Sequence, residues 1–600
     1  MDEMKEIMSD CGLTEADLVD FAIATANREL IIITDQKARL SDDVTEQRFE
    51  DLLRHKVESI DPSIGQVESQ AAVETTIDAI QVLLNTLRHV SDELPSSRVV
   101  ENQGKAIGAV IGLKVRAMLY YVVKSEYDYC IWNEGYAVTS TNPDAVMMKC
   151  LAPENLLLSR VGFLRLQKTL FAFYMGGRSI LDNHDEYGSL VREALKRKRT
   201  ATRLEKVSVQ EGAIKYELGK DIDNDEIAFE IKSSGEMAAY YSYIHDVALP
   251  ALNGLTLKDI LLLFTTLQFL VKKAADLSIE DDSVVKLTDF NKFPYRMLKR
   301  ELIEYLLQRT TFNERQVDDF LKLVTNKQGN RISFWDYPLL PRADYFVFPL
   351  LSLVHPMTLV LIDRWLEDGG FDLDERGRYF EKHIKKTIAL GLRRKGYQFV
   401  LPETSKFKLP NGQAEEIDLI LNLKHTCIIA EVKCIKYSMG ARDTHNALAR
   451  LRKASEQVRR KANFILQHKE HFQSEVGIIE GKELVKLVIT NYPIYSGYRF
   501  NEIPVVDFFL LDAYINAGGI DHQRVQMTKD GLIKQETVYR TVFYEDEDGF
   551  CRSLMSHMAK PPAIDQLREH FEHRLCKLTP EGASWAFYAD TVEYVSGSRR

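Results

Sequence analysis

The sequence predicts a multidomain chain, mostly α-helical through its first 362 residues and α/β after that. Three observations carry this. The chain has 600 residues, more than one hydrophobic core serves, and length alone suggests about three or four domains. Before residue 362, apolar residues recur at helical spacing through long stretches. Between 376 and 511 the pattern changes to helix, short apolar runs, basic helix, apolar runs.

Residues 1–200 read as an α-helical domain. Ala71 to Val90 keeps a helical apolar spacing, and Ser91 to Ser97 (SDELPSS) breaks it. Val99 to Lys124 is a second long helix. Its Gly104, Gly108 and Gly112, four residues apart, would permit close helix packing, and no G-K-[ST] follows to make a phosphate loop. Phe163 to Tyr174 is a third helix. Residues 201–235 form a mixed linker or hairpin region, with strand-like alternation at Ala213 to Leu218. The basic run Lys196 to Arg199 just before it reads as a nucleic-acid contact or a solvated helix end. Residues 236–362 are again helical, at Leu257 to Ala275, Tyr295 to Arg309 and Glu314 to Thr325. The aromatic cluster Phe334 to Pro338 reads as a core plug under a loop, with base or partner stacking as the alternative. Ile260 to Val271 is too short to span a bilayer, and Tyr345 to Ile362 is interrupted by Pro349 and Pro356.

Residues 363–520 are the α/β domain. Arg376 to Lys395 is a helix with Phe380, Ile384, Ile388 and Leu392 on one face and Gly396 as its stop. Tyr397 to Val400 is a first strand. Ile417 to Leu421 and Cys427 to Val432 form a hairpin around the turn Asn422 to Thr426. Asp443 to His468 is a helix with an apolar stripe of Leu448, Leu451, Val458, Ala462 and Ile465. Arg450, Arg452, Lys453, Arg459, Arg460 and Lys461 cover the rest of it, and Gln457 lies within it. The apolar segments Leu484 to Ile489 and Ile503 to Leu511 follow. Residues 521–600 read as an α/β extension, with a strand at Val538 to Tyr544 and a helix at Ala563 to Leu578.

The charges on the hairpin stand out. Asp418 interrupts the first apolar run, and Glu431 and Lys433 close the second. A strand's side chains alternate, so Glu431 and Lys433 share a face. Ionisable groups on a buried strand cost several kcal/mol each, by order of magnitude, unless compensated. A divalent cation compensates two carboxylates, and Mg²⁺ takes hard oxygen ligands while keeping several waters. A neighbouring lysine is then placed to orient a water or offset charge on a phosphate.

This arrangement, D-(x)n-E-x-K on a hairpin with a basic, glutamine-bearing helix after it, resembles the PD-(D/E)XK nuclease superfamily of restriction-endonuclease-like fold. The resemblance covers about a quarter of the chain. One departure is Ile417, which stands where the family pattern has proline. The resemblance implies an αβββαβ core and Mg²⁺-dependent hydrolysis of a phosphodiester, with Mn²⁺ as a substitute and DNA favoured over RNA. It makes Asp418, Glu431 and the Val432 carbonyl the metal ligands. Lys433 positions or activates the water, Glu381 completes the site, and Gln457 lies beside it. The six basic residues above would line the nucleic acid. The helical region would serve targeting or regulation, by a protein partner or homo-oligomer. The alternative is a nuclease fold kept as an inactive binding or scaffold module.

Each residue has a plainer reading. Glu431 and Lys433 pair across solvent on many surface hairpins. Glu381 suits the macrodipole near a helix start, and Gln457 is an ordinary helix-surface residue. Glu415 and Glu416 are surface charges or outer partners of the site. His445 is a phosphate contact or part of a cap, and His383 packs against its helix's neighbours. Two other triplets fall short: no basic, glutamine-bearing helix follows Glu230-Ile231-Lys232, and Asp35-Gln36-Lys37 lacks a partner carboxylate.

Hydrophobic content of 45% and charged content of 28% are those of an ordinary globular protein. Net charge is −10, so the whole molecule is no generic polyanion binder. Arg376 to Glu470 nevertheless holds 21 Lys+Arg against 9 Asp+Glu, a net of +12. A basic segment in an acidic chain is consistent with a nucleic-acid path across one domain, or with a solvated basic helix face. Seven cysteines, scattered and without C-x-x-C, argue for a reducing compartment and against a disulfide framework or zinc site. The opening MDEMKEIMSDCGL lacks a signal peptide's apolar stretch. A cytoplasmic location with no membrane association is expected. No Walker, H-E-x-x-H or G-x-S-x-G motif competes.

Overall fold

In the computed structural model the chain is multidomain, with long helices and several mixed sheets. The structure describes all residues except 42–55, 59–65, 101–102, 134, 140–143, 175–201, 221–223, 278–291, 328, 528–532, 580–584 and 596–600. The basic run Lys196 to Arg199 lies outside the described residues.

The N-terminal helices Ser69–Leu87, Gln103–Trp132 and Pro153–Tyr174 overlap the three stretches of helical apolar spacing, and Glu15–Ser41 is a further long helix. By length and composition Gly104–Trp132 is apolar enough to cross a membrane, a test that core helices of soluble proteins pass as well. It packs on Ser69–Leu87. A Cβ on its Gly108 would meet nothing within 4 Å, so the glycine spacing does not mark a close helix crossing there.

The helical region also carries sheets. Arg203–Gln210 and Ala213–Gly219 form the expected hairpin, which continues through Arg296–Leu298 into a five-stranded sheet. The boundary expected at 235 falls inside helix Asn224–Tyr241. That helix contains Glu230-Ile231-Lys232, and Glu15–Ser41 contains Asp35-Gln36-Lys37, so neither triplet lies on a strand. Phe334 and Trp335 are buried, as a core plug would be.

Helix α1 (Leu373–Lys395) opens the α/β domain, capped by Asp372 and ended by left-handed Gly396. The strands are β1 (Phe399–Val400), β2 (Lys406–Lys408), β3 (Ala414–Glu416), β4 (Leu419–Leu423) and β5 (Thr426–Lys433). Helix α2 (Ala441–Gln467) follows, then β6 (Glu483–Thr490), β7 (Arg499–Phe500) and β8 (Ile503–Asp507). The sheet order is β1-β4-β5-β6-β8-β7. β4 and β5 pair antiparallel, with Leu419 opposite Ala430. β5, β6 and β8 run parallel, with Glu431 opposite Val488. β2 and β3 make a small separate hairpin.

The sheet's two faces have different covers. Ile428, Ala430 and Val432 pack with Phe380, Ile384, Ile388 and Leu392 of α1. Cys427 and Ile429 share a core with Leu451, Ala454, Val458 and Ile465 of α2. Strand alternation thus sends Glu431 and Lys433 to the α2 face.

Two later stretches divide into shorter elements, and the single helix expected at Ala563 to Leu578 is corrected. Ile503 to Leu511 splits into β8 and a short helix, Phe508–Asp512, because Asp507 caps the helix through its bond from the Leu510 N–H at 3.1 Å. Ala563 to Leu578 splits into helix Pro562–Arg568 and strand Phe571–Lys577. In the C-terminal extension, strand Ala586–Tyr594 pairs parallel with Ala145–Cys150 of the N-terminal region.

Two buried carboxylates fasten the α/β domain to the helical region. Asp507, wholly buried, accepts from Arg165 at 2.7 Å and from the Ser496 hydroxyl at 2.5 Å. Asp363 accepts from the Tyr241 hydroxyl and the Tyr437 N–H, each at 2.7 Å, and from Arg376. Removing one member of a buried pair leaves an uncompensated charge. Arg165→Ala is therefore expected to destabilise by about 3–5 kcal/mol, read as a lowered urea midpoint. Adding Asp507→Asn should recover part of that loss, and strict additivity of the two changes would show that the pair is uncoupled.

Candidate active site

The site lies at the C-terminal end of β5, where parallel strands of α/β sheets commonly present ligands. Asp418 precedes β4 directly, and Glu431 is the antepenultimate residue of β5. They are 7% and 2% exposed. Asp418 Oδ2 accepts from the Val432 N–H at 2.8 Å, which clamps the carboxylate to the neighbouring strand.

Glu431 is held on both oxygens. Lys433 Nζ donates to Oε1 at 2.7 Å, so the two residues of E-x-K meet on one face. Lys461 Nζ donates to Oε2 at 2.6 Å and reaches Asp418 Oδ1 at 3.4 Å. Lys461 was expected on the nucleic-acid face of α2. It is instead 6% exposed, and its ammonium sits between the two carboxylates. The reason is helical phase. Ala447, Leu451, Ala454, Val458, Lys461 and Ile465 follow one another at alternating spacings of four and three, the seam of a buried helix face. Burial alone would lower the Lys461 ammonium, and the Asp418 and Glu431 charges outweigh that to hold it above its ordinary value.

Glu381 comes from α1, across the sheet from α2. It is half-buried, and burial together with the Asp418 charge pushes its carboxyl up to about 7. Lys385, one turn on, is pushed down by burial while Glu381 and Asp418 oppose the shift. Gln457 is half-buried one turn before Lys461, on the same flank of α2.

The other basic residues of α2 are exposed and divide by phase, at 100° per residue. Arg450 shares the flank of Gln457 and Lys461, with Lys453 and Arg460 beside it. Arg460 already pairs with Glu415 of β3 at 2.9 Å. Arg452 and Arg459 face the opposite side, where Arg452 lies over the Phe500 ring at 5.4 Å and Arg459 donates to the Asn501 carbonyl at 3.3 Å. They point away from the carboxylates. His383 packs among Tyr243 and Phe508, and His445 against Trp132.

Asp418 and Glu431 fit a hard divalent cation in donor chemistry, because two buried carboxylates converge on one cation, here an ammonium. Among the described residues no group of three or more His, Cys, Asp or Glu side chains is arranged to hold a metal ion. A cation at this place would rest on two carboxylates, backbone oxygen and water, which is within the habit of Mg²⁺. Comparison with family models, with curated proteins and with solved structures returns no match to this chain.

The raised Glu381 carboxyl sets a pH dependence. A group whose folded value exceeds its unfolded value favours folding below the unfolded value, 4.5, and that advantage is lost as pH rises through about 7. In EDTA, Glu381→Gln is expected to melt above wild type at pH greater than 7, with the difference shrinking as pH falls to 4.5. A difference independent of pH would place Glu381 in solvent.

Proposed function

We propose that the chain is a Mg²⁺-dependent nuclease of the PD-(D/E)XK type, acting on DNA in preference to RNA. The observation that carries this reading is the convergence of Asp418, Glu431 and Lys433 at one buried strand end. Two carboxylates at 7% and 2% exposure are an expensive placement for a surface hairpin. The element order α1, β1, β4, β5, α2, β6 agrees with an αβββαβ core.

In this reading Asp418, Glu431 and the Val432 carbonyl hold the cation, which supplies charge stabilisation at the scissile phosphate and a more acidic water. The Val432 N–H fixes Asp418, so the strand itself sets the spacing of the two carboxylates. Lys433, about a quarter exposed, holds Glu431 from the solvent side and is placed to donate to a phosphate oxygen or to orient the attacking water. Glu381, whose carboxyl is pushed up to about 7, can give or take a proton near neutral pH at the edge of the site. Arg450 and Lys453 carry the phosphate backbone toward the carboxylates, and Arg460 joins them if it leaves Glu415. The helical region, fastened through Asp363 and Asp507, serves targeting or regulation.

A second reading has an observation in its favour. Lys433 and Lys461 already balance Asp418 and Glu431, so the cluster is neutral without any metal. A binding or scaffold module with a structural ion-pair cluster would look the same. Such a module should bind nucleic acid equally with and without Mg²⁺.

The deciding experiment is cleavage of supercoiled plasmid, linear duplex, single-stranded DNA and RNA with Mg²⁺, Mn²⁺ or EDTA. Metal-dependent cutting should fall about 10²-fold or more in Glu431→Ala, Asp418→Ala and Lys433→Ala. Cleavage by these variants at the wild-type rate would defeat the reading. In a binding assay, Arg450→Ala with Lys453→Ala should weaken affinity and flatten its salt dependence by about one to two charges. Arg452→Ala with Arg459→Ala should leave both nearly unchanged, and the reverse ranking would put the nucleic acid on the other flank of α2.

A further inference from the structure

We infer that Lys461 is an internal counter-ion that a divalent cation must displace from between Asp418 and Glu431, so the site has a closed, metal-free state held by its own lysine. This rests on the nuclease reading above and adds a control step to it.

The geometry leaves little room for both cations. Lys461 Nζ spans Glu431 Oε2 at 2.6 Å and Asp418 Oδ1 at 3.4 Å. The remaining oxygens are taken by Lys433 Nζ and the Val432 N–H. A divalent ion bridging the carboxylates would need the oxygens that face Lys461. Leaving the ammonium beside it would set like charges together in a buried place, where repulsion is poorly screened. A lysine is suited to leave, because its ammonium rides on a flexible four-carbon stem and gains hydration on withdrawal. The backbone of α2 need not move, and Leu451, Val458 and Ile465 keep the helix seated on the sheet.

Two consequences follow. Without metal, Lys461 keeps two buried carboxylates from repelling each other, so the apo site stays folded. With nucleic acid on the Arg450 flank, a phosphate offers the displaced ammonium a new anion. Nucleic acid and cation should then favour each other's binding, as linkage requires.

The test is Mn²⁺ binding without nucleic acid, by calorimetry and by thermal shift, on full-length wild type, Lys461→Met, Lys461→Gln and Lys433→Met. Lys461→Gln keeps a donor between the carboxylates in case the methionine variant does not fold without metal. The expected result is tighter Mn²⁺ binding by about tenfold or more when Lys461 is replaced. The metal-free melting temperature should fall, and Mn²⁺ should raise it more than in wild type. Lys433→Met removes the same charge from the same carboxylate without emptying the bridging position, so its gain should be smaller. Equal gains for the two lysines would reduce the effect to general electrostatics and overturn the inference. Unchanged or weaker binding after Lys461 replacement would also overturn it, making Lys461 a support for the site, with the nuclease reading intact. Absence of Mn²⁺ binding in all four proteins would remove both the inference and the metal-dependent reading.

Discussion

A carboxylate buried in the central strand of a sheet must be neutralised, and much of the α/β domain is arranged around that requirement. Glu431 has strands on both sides and a helix over its face, and it is 2% exposed. Its oxygens are met from two directions, by Lys433 of its own strand and by Lys461 of α2. Asp418 adds a second charge and draws in the Val432 N–H. Turning α2 about its axis would carry Lys461 from between the carboxylates and leave Lys433 alone to balance two buried charges. Hairpin register, the phase of α2 and its seating on the sheet are thus coupled through one ion cluster.

The helical region is more than an appendage to this cluster. The segment just after β5 is gripped by helix Thr358–Asp368: the Tyr437 N–H donates to Asp363, and Lys436 pairs with Glu367. Asp363 also binds Arg376, in the first turns of the helix that carries Glu381. One carboxylate of helix Thr358–Asp368, which runs across the boundary expected at 362, therefore holds both the strand end beyond Lys433 and the start of α1. At the end of β8, Arg165 reaches Asp507. These are short polar contacts within the core, and they give the helical region a direct mechanical hold on the elements that shape the site.

The basic character of α2 divides in a similar way. A count of charges treats all its cations alike, whereas the helix sets them to different tasks, with Arg460 paired to Glu415 and Arg442 over the Trp132 ring. Lys461 neutralises the buried carboxylates. Arg452 and Arg459 fasten the turn at Phe500 and Asn501. Arg450 and Lys453 remain exposed on or beside the carboxylate flank. The net charge of the segment therefore overstates the surface it offers to a polyanion.

Local pattern determined a good deal. The apolar periods of α1 and α2, the hairpin at β4 and β5, and the shared face of Glu431 and Lys433 were legible because each depends on residues within a turn or two of one another. Asp418 and Glu431 could be paired from sequence because a hairpin fixes its own register. The rest depended on contacts between distant residues. Lys461 meets Glu431 across 30 positions, and Arg165 meets Asp507 across 342. Strand Ala586–Tyr594 pairs with Ala145–Cys150 near the other end of the chain. Lys461 did sit on the heptad seam of its helix, so its burial was written in the spacing, but its partners were not. Alternation and helical phase say which way a side chain points; only the packed sheet decides which charge it meets there.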